Sequence, residues 1–137
     1  MRYPKLQFVE RVVAKLRELY PRDPIGWKGG GREQVEQALE AARWAFHFTK
    51  DKPCYARKLA AAAALFTEII LLHPLTDGNK RLATLMLWIF LRVNRLPRPR
   101  RIAGAVIRVA GGEWGQEEVY QWLTKVYKAW RARRRVG

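Results

Sequence analysis

The chain has 137 residues, and 27 Lys and Arg against 12 Asp and Glu leave a formal charge of +15. Its length suits one domain over residues 1–137, and 49% hydrophobic residues exclude a disordered basic tail. Serine is absent and Cys54 is the only cysteine, which excludes a serine nucleophile, an intrachain disulfide and a cysteine-rich zinc site.

The first five residues, Met1-Arg2-Tyr3-Pro4-Lys5, lack the apolar block of a signal peptide, which predicts a cytoplasmic protein. Leu6, Val9, Val12, Val13, Leu16, Leu19 and Tyr20 then recur at helical spacing, so the first amphipathic helix is expected over residues 5–20. Pro21 ends it. Two prolines and four glycines make residues 21–31 a loop, with Trp27 expected to pin it to the core. A second helix over residues 33–46 places Val35, Leu39, Ala42 and Phe46 on one face. Residues 48–53 break it, and His47 just before them reads as an ordinary core or surface residue.

Residues 55–72 contain almost no helix breaker, and the run of alanines from Ala60 to Ala64 has the highest helix propensity available. Such a small-residue surface predicts a buried central helix that its neighbours approach closely. A further apolar helix is expected over residues 79–94, with Leu82, Leu85, Met86, Ile89, Phe90 and Val93 as its inner stripe and Trp88 in the core. Its densest apolar run, residues 82–91, is about half the roughly 20 residues of a membrane span, so none is predicted. After an Arg- and Pro-rich loop, residues 102–110 fit a helix with Ala103, Val106, Ile107 and Ala110 in register, although the β-branched content also suits a strand. Glycines 111, 112 and 115 surround Trp114, and a last helix over residues 116–133 turns Val119, Leu123, Val126 and Trp130 inward. The expected architecture is an all-α, single-domain bundle of about six helices.

No GxxxxGK[ST] or GxGxxG motif is present, and the two histidines, His47 and His73, stand too far apart in sequence for a metal-binding pair. Reactive side chains concentrate between the two most apolar helices, in His73-Pro74-Leu75-Thr76-Asp77-Gly78-Asn79-Lys80-Arg81. Pro74 disfavours helical geometry at His73, which should therefore end one helix, while Asp77, Gly78 and Asn79 are turn and N-cap residues that start the next. A helix N-terminus offers unpaired N–H groups and partial positive charge, and Gly78 removes the Cβ that would keep an anion away. Lys80 and Arg81 in the first turn oppose the helix dipole, and a bound anion would correct that. The loop reads as a phosphate site, with Asp77 placed to hold magnesium against phosphate oxygens and His73 beside it as a general base. The plainer reading is a polar turn with a capping Asp and a dipole-favoured His, and it leaves the two cations unexplained. Cys54 reads as a packing residue, having no histidine close in sequence to activate it.

Residues 73–81 resemble the signature of the Fic/Doc (Fido) family, and the Gly78-Asn79-Lys80-Arg81 form is similar to its Doc, or death-on-curing, branch. A glycine-rich loop before the "LEAA" of residues 39–42, and an Ala-rich helix before the motif, extend the likeness over most of the chain. The resemblance implies transfer from ATP to a hydroxyl side chain of a target protein. It makes His73 the base, Asp77 the magnesium ligand, Gly78 and Asn79 an anion hole, and Arg81 a phosphate grip. Against the AMP-transferring pattern HPFxxGNGRxxR, Lys80 replaces a glycine and Thr84 the second arginine, both Doc-like, which implies γ-phosphoryl transfer rather than AMP transfer. Leu75 replaces the usual phenylalanine, an apolar exchange that should keep the packing.

The resemblance also implies a short, β-like target-binding flap before the long helix, for which Thr49, Lys50, Asp51 and Lys52 are the candidates. No [S/T]xxxE[G/N] inhibitory motif occurs, so inhibition is expected from another chain, and a +15 surface favours an acidic antitoxin. The alternatives are AMP transfer, or a non-catalytic nucleic-acid or ribosome-binding module that exploits the basic surface.

Overall fold

The computed structural model describes residues 1–136, in six helices: α1 Leu6–Leu19, α2 Gly31–Phe48, α3 Cys54–Leu72, α4 Asn79–Val93, α5 Ala103–Ala110 and α6 Gln116–Val136. Each expected helix is present, including the ambiguous segment after the Arg- and Pro-rich loop. The only β pairing among the described residues is an isolated antiparallel bridge between Trp27 and Leu75.

α3 is the axis of the bundle and packs against α2, α4, α5 and α6. Residues 59–67 are all buried, because a helix apolar on every side is stable only when enclosed. Ala60 to Ala64 project nothing beyond Cβ, so the neighbouring helices close directly onto its backbone. Val35, Ala38, Leu39 and Ala42 of α2 and Leu82, Ala83, Met86, Leu87 and Phe90 of α4 join this core, as do Val119, Leu123 and Tyr127 of α6.

Several inner stripes differ from expectation at their ends. Leu19, Tyr20 and Val93 are exposed: Leu19 and Tyr20 stand at the end of α1, which packs on α2 and α4, and Val93 is the last residue of α4. α5 buries Ala105, Val106 and Val109 and exposes Ala103, Ile107 and Ala110, a rotated face on a helix only 8 residues long. Trp88 is 37% exposed rather than core, and Arg98 lies over its ring. Cys54 is exposed at the start of α3, so it is not a packing residue. Trp27 and Trp114 both pack against the core, and His47 is exposed.

Buried Asn94 ties the N-terminus to the end of α4: its amide donates to the carbonyls of Arg2 and Phe90, and its oxygen accepts the Arg2 N–H at 2.9 Å. For the site, the decisive arrangement is the helical hairpin of α2 and α3. A short link makes the two helices antiparallel neighbours, so the start of α2 and the end of α3 meet at one pole of the molecule.

Candidate active site

His73 closes α3 in a left-handed conformation, φ 52° and ψ 61°, with its N–H donating to the Ile69 carbonyl. Such geometry is uncommon for a residue with a side chain, and it persists only where the surroundings hold it. Here they do. Pro74 and Leu75 are buried, and both polar backbone groups of Leu75 are taken by the Asn79 side chain: Oδ1 accepts its N–H at 2.8 Å, and Nδ2 donates to its carbonyl at 2.9 Å. Leu75 is fully enclosed, so the exchange for phenylalanine leaves this position packed.

A second clamp comes from the connection between α1 and α2. Lys28 N–H donates to the Pro74 carbonyl at 3.0 Å, Thr76 N–H to the Gly26 carbonyl at 2.8 Å, and the Thr76 hydroxyl to the Pro24 carbonyl at 2.5 Å. Gly31 completes the contact, since a methyl group there would stand 2.2 Å from the Pro74 oxygen. Sequence reasoning read this segment only as a loop with a pinned tryptophan. Its readable sign was the glycine at position 31, opening a helix where a side chain would ordinarily be tolerated.

Gly78 turns the chain at φ 87°, where any Cβ would be strained and would press on Ile25. Its N–H donates to Asp77 Oδ1 at 2.8 Å. The next three N–H groups, of Asn79, Lys80 and Arg81, make no hydrogen bond among the described residues, leaving the positive end of α4 open. They border a cavity of about 390 Å³ lined by His73, Thr76, Asp77, Gly78, Asn79, Lys80 and Arg81.

The six expected site residues therefore meet around one cavity, with two modifications. The side chain of Asn79 is buried in the loop clamp, so only its backbone N–H can serve an anion. The Arg81 guanidinium reaches sideways to Asp23, Nη1 to Oδ2 2.6 Å, and lies 4.1 Å from the centre of the Tyr20 ring. Its hydrogen bond to that carboxylate raises the already high pKa of the guanidinium. Lys80 is exposed and joins none of the four ion pairs among the described residues.

The expected flap is not brought to this cavity. Thr49, Lys50, Asp51 and Lys52 form a tight turn, with Lys52 N–H donating to the Thr49 carbonyl and the Thr49 hydroxyl to Ala45. That turn joins the far end of the hairpin, about 28 Å from His73 along α3 at 1.5 Å per residue. The segment that pairs with the motif is residues 24–28, and the only bridge among the described residues, Trp27 to Leu75, lies there.

Asp77 suits magnesium, an ion commonly held by one or two carboxylates together with substrate phosphates. Its second oxygen makes no hydrogen bond among the described residues. Among the described residues, no three His, Cys, Asp or Glu side chains gather to form an all-protein cage, and a magnesium ion held by Asp77 would draw the rest of its shell from phosphate oxygens and water.

The sequence model of the Fic/DOC family matches residues 6–91, more than half of the chain, from the first residue of α1 to near the end of α4. The chain belongs to the Fic/DOC family. No curated protein matches it. Fic/DOC proteins are transferases that modify proteins, use ATP, often with magnesium, and are often restrained by an antitoxin. The match contains both the clamp at residues 24–31 and the loop it holds, whereas α5 and α6 lie beyond it. Among the described residues, no helix is long and apolar enough to cross a membrane.

Proposed function

We propose that this Fic/DOC member moves the γ-phosphoryl group of ATP to a Thr, Ser or Tyr hydroxyl of a cytosolic protein target, in the translation machinery. The observation that carries this reading is the open N-terminus of α4. Three unpaired N–H groups, a positive-φ glycine and a free lysine face one cavity, with an imidazole on its rim. Phosphoryl transfer asks for positioning and charge stabilisation more than for covalent chemistry, and such a cavity offers both.

In this reading His73 takes the proton of the target hydroxyl as its oxygen attacks the γ-phosphorus. The bond from that phosphorus to the β–γ bridging oxygen breaks, and ADP leaves with the electron pair. The α4 N–H groups, Lys80 and Arg81 hold the phosphate oxygens while their charge redistributes. Magnesium, held by Asp77 and the nucleotide, would neutralise the phosphate chain. Lys80 supports γ-phosphoryl over AMP transfer, since it brings a cation to the first turn where AMP-transferring relatives have glycine. Restraint by an acidic antitoxin is proposed from the net charge of +15 and the lack of an inhibitory motif in the chain.

The test is incubation of the purified protein, and of His73→Ala, with cytosolic extract, magnesium and ATP labelled in the α or the γ position. Label from γ alone, lost in the variant, is expected. Label from α would establish AMP transfer instead. Salt-sensitive nucleic-acid binding with no label would favour the basic binding module.

A further inference from the structure

Arg81 has an arrangement that a simple phosphate grip does not require. The turn that ends α1 is closed by a hydrogen bond from the Asp23 N–H to the Tyr20 carbonyl, 3.1 Å, which brings both side chains to the same side as Arg81. Asp23 takes one N–H of the guanidinium, and the Tyr20 ring supports its face. Arg81 lines the cavity, but Asp23 does not; it borders a separate depression with Arg17 and Pro21. The carboxylate thus holds the arginine from outside the site. A guanidinium carries five N–H donors and Asp23 engages one, so the others stay available to an anion.

We propose that Asp23 is a positioning residue: with Tyr20 it fixes the Arg81 guanidinium along the cavity wall before nucleotide arrives, leaving its remaining donors for the phosphate chain. The inference rests on the phosphate-site reading above and adds to it a residue 58 positions away in sequence. Its physical basis is preorganisation. A long side chain that must be immobilised on binding weakens affinity by about 2- to 10-fold, and Asp23 and Tyr20 remove that cost in advance. A carboxylate acting as a blocker would do the reverse, since its removal would free Arg81 for the ligand.

The experiment is calorimetric binding of magnesium–ATP and of inorganic tripolyphosphate to the full chain and to Asp23→Ala, Arg81→Ala and the double variant, with γ-label transfer and thermal melting on each. Asp23→Ala is expected to weaken both ligands about 2- to 10-fold with an unchanged melting curve. Arg81→Ala should weaken them further, and the double variant should match Arg81→Ala, because Asp23 acts only through that arginine. Asp23→Asn, which keeps an acceptor oxygen, should recover part of the loss. Tighter binding by Asp23→Ala, or losses that simply add in the double variant, would overturn the inference. Coupled losses of binding without any label transfer by the wild type would leave it standing and remove the transferase reading. Transfer that Asp23→Ala does not alter, in KM or in binding, would do the opposite. A wild type that binds neither ligand overturns it as well.

Discussion

Asn79 gives its whole side-chain amide to Leu75, as donor and as acceptor, in a buried setting. Replacement by Ala strands a backbone N–H and a carbonyl, and each unmet buried group costs about 1–3 kcal/mol. Asn79→Ala should therefore lower the denaturation midpoint clearly in a urea titration, and transfer activity should fall with it. His73 is exposed, and its substitution tests chemistry more cleanly. On the general-base role proposed above, His73→Ala should cut transfer by about 10²- to 10⁴-fold while the melting curve stays near wild type. Gly31→Ala would drive a methyl group into the Pro74 carbonyl and should cost about 1–3 kcal/mol, read by the same titration. The motif was legible because its reactive residues are consecutive, and a helix end and a helix start are written in Pro74 and Gly78. The inward turn of Asn79 and the Asp23–Arg81 pair were not. Both are side-chain choices that follow from how distant backbone segments settle, and no spacing rule carries that information.

α3 shows why the helices could be read so directly. Its alanines allow close approach on every side, and its ends are marked by Pro53 and Pro74. The same closeness makes it intolerant of bulk. Ala62→Leu or Ala63→Leu, both at fully enclosed positions, should destabilise the protein by about 1–3 kcal/mol in chemical denaturation. The inner face of α5 could not be read from the sequence, because two turns of mostly apolar residues define no unique stripe, and packing against α3 selects Ala105, Val106 and Val109. The flap candidate, Thr49 to Lys52, lies away from the cavity for a topological reason. Residues 49–53 join two long helices by a short link, and such a link must lie at the pole away from the end of the second helix. The extended strap beside the motif came from earlier in the chain, where prolines and glycines signalled only irregularity.

Charge acts on the whole molecule. Against a net +15, the described residues form four ion pairs, each with both partners at least one-third exposed, and pairs of this kind contribute little. Self-repulsion should dominate at low ionic strength. Raising salt from about 20 to about 200 mM, which shortens the screening length several-fold, should raise the melting temperature. If an acidic protein binds this chain, the same change should slow its association while leaving dissociation nearly constant, a distinction that stopped-flow mixing can make.

The strap has a consequence for portability. His73 to Arg81 read as a self-contained signature, but their backbone is completed by residues 24–31, which supply three hydrogen bonds and the one gap that accommodates the Pro74 carbonyl. The heritable unit of the site is thus a pair of separated segments. A graft of the nine-residue signature between two foreign helices would carry the chemistry's letters without its grammar, whereas a graft that brought both segments in register should keep His73 in its left-handed pose.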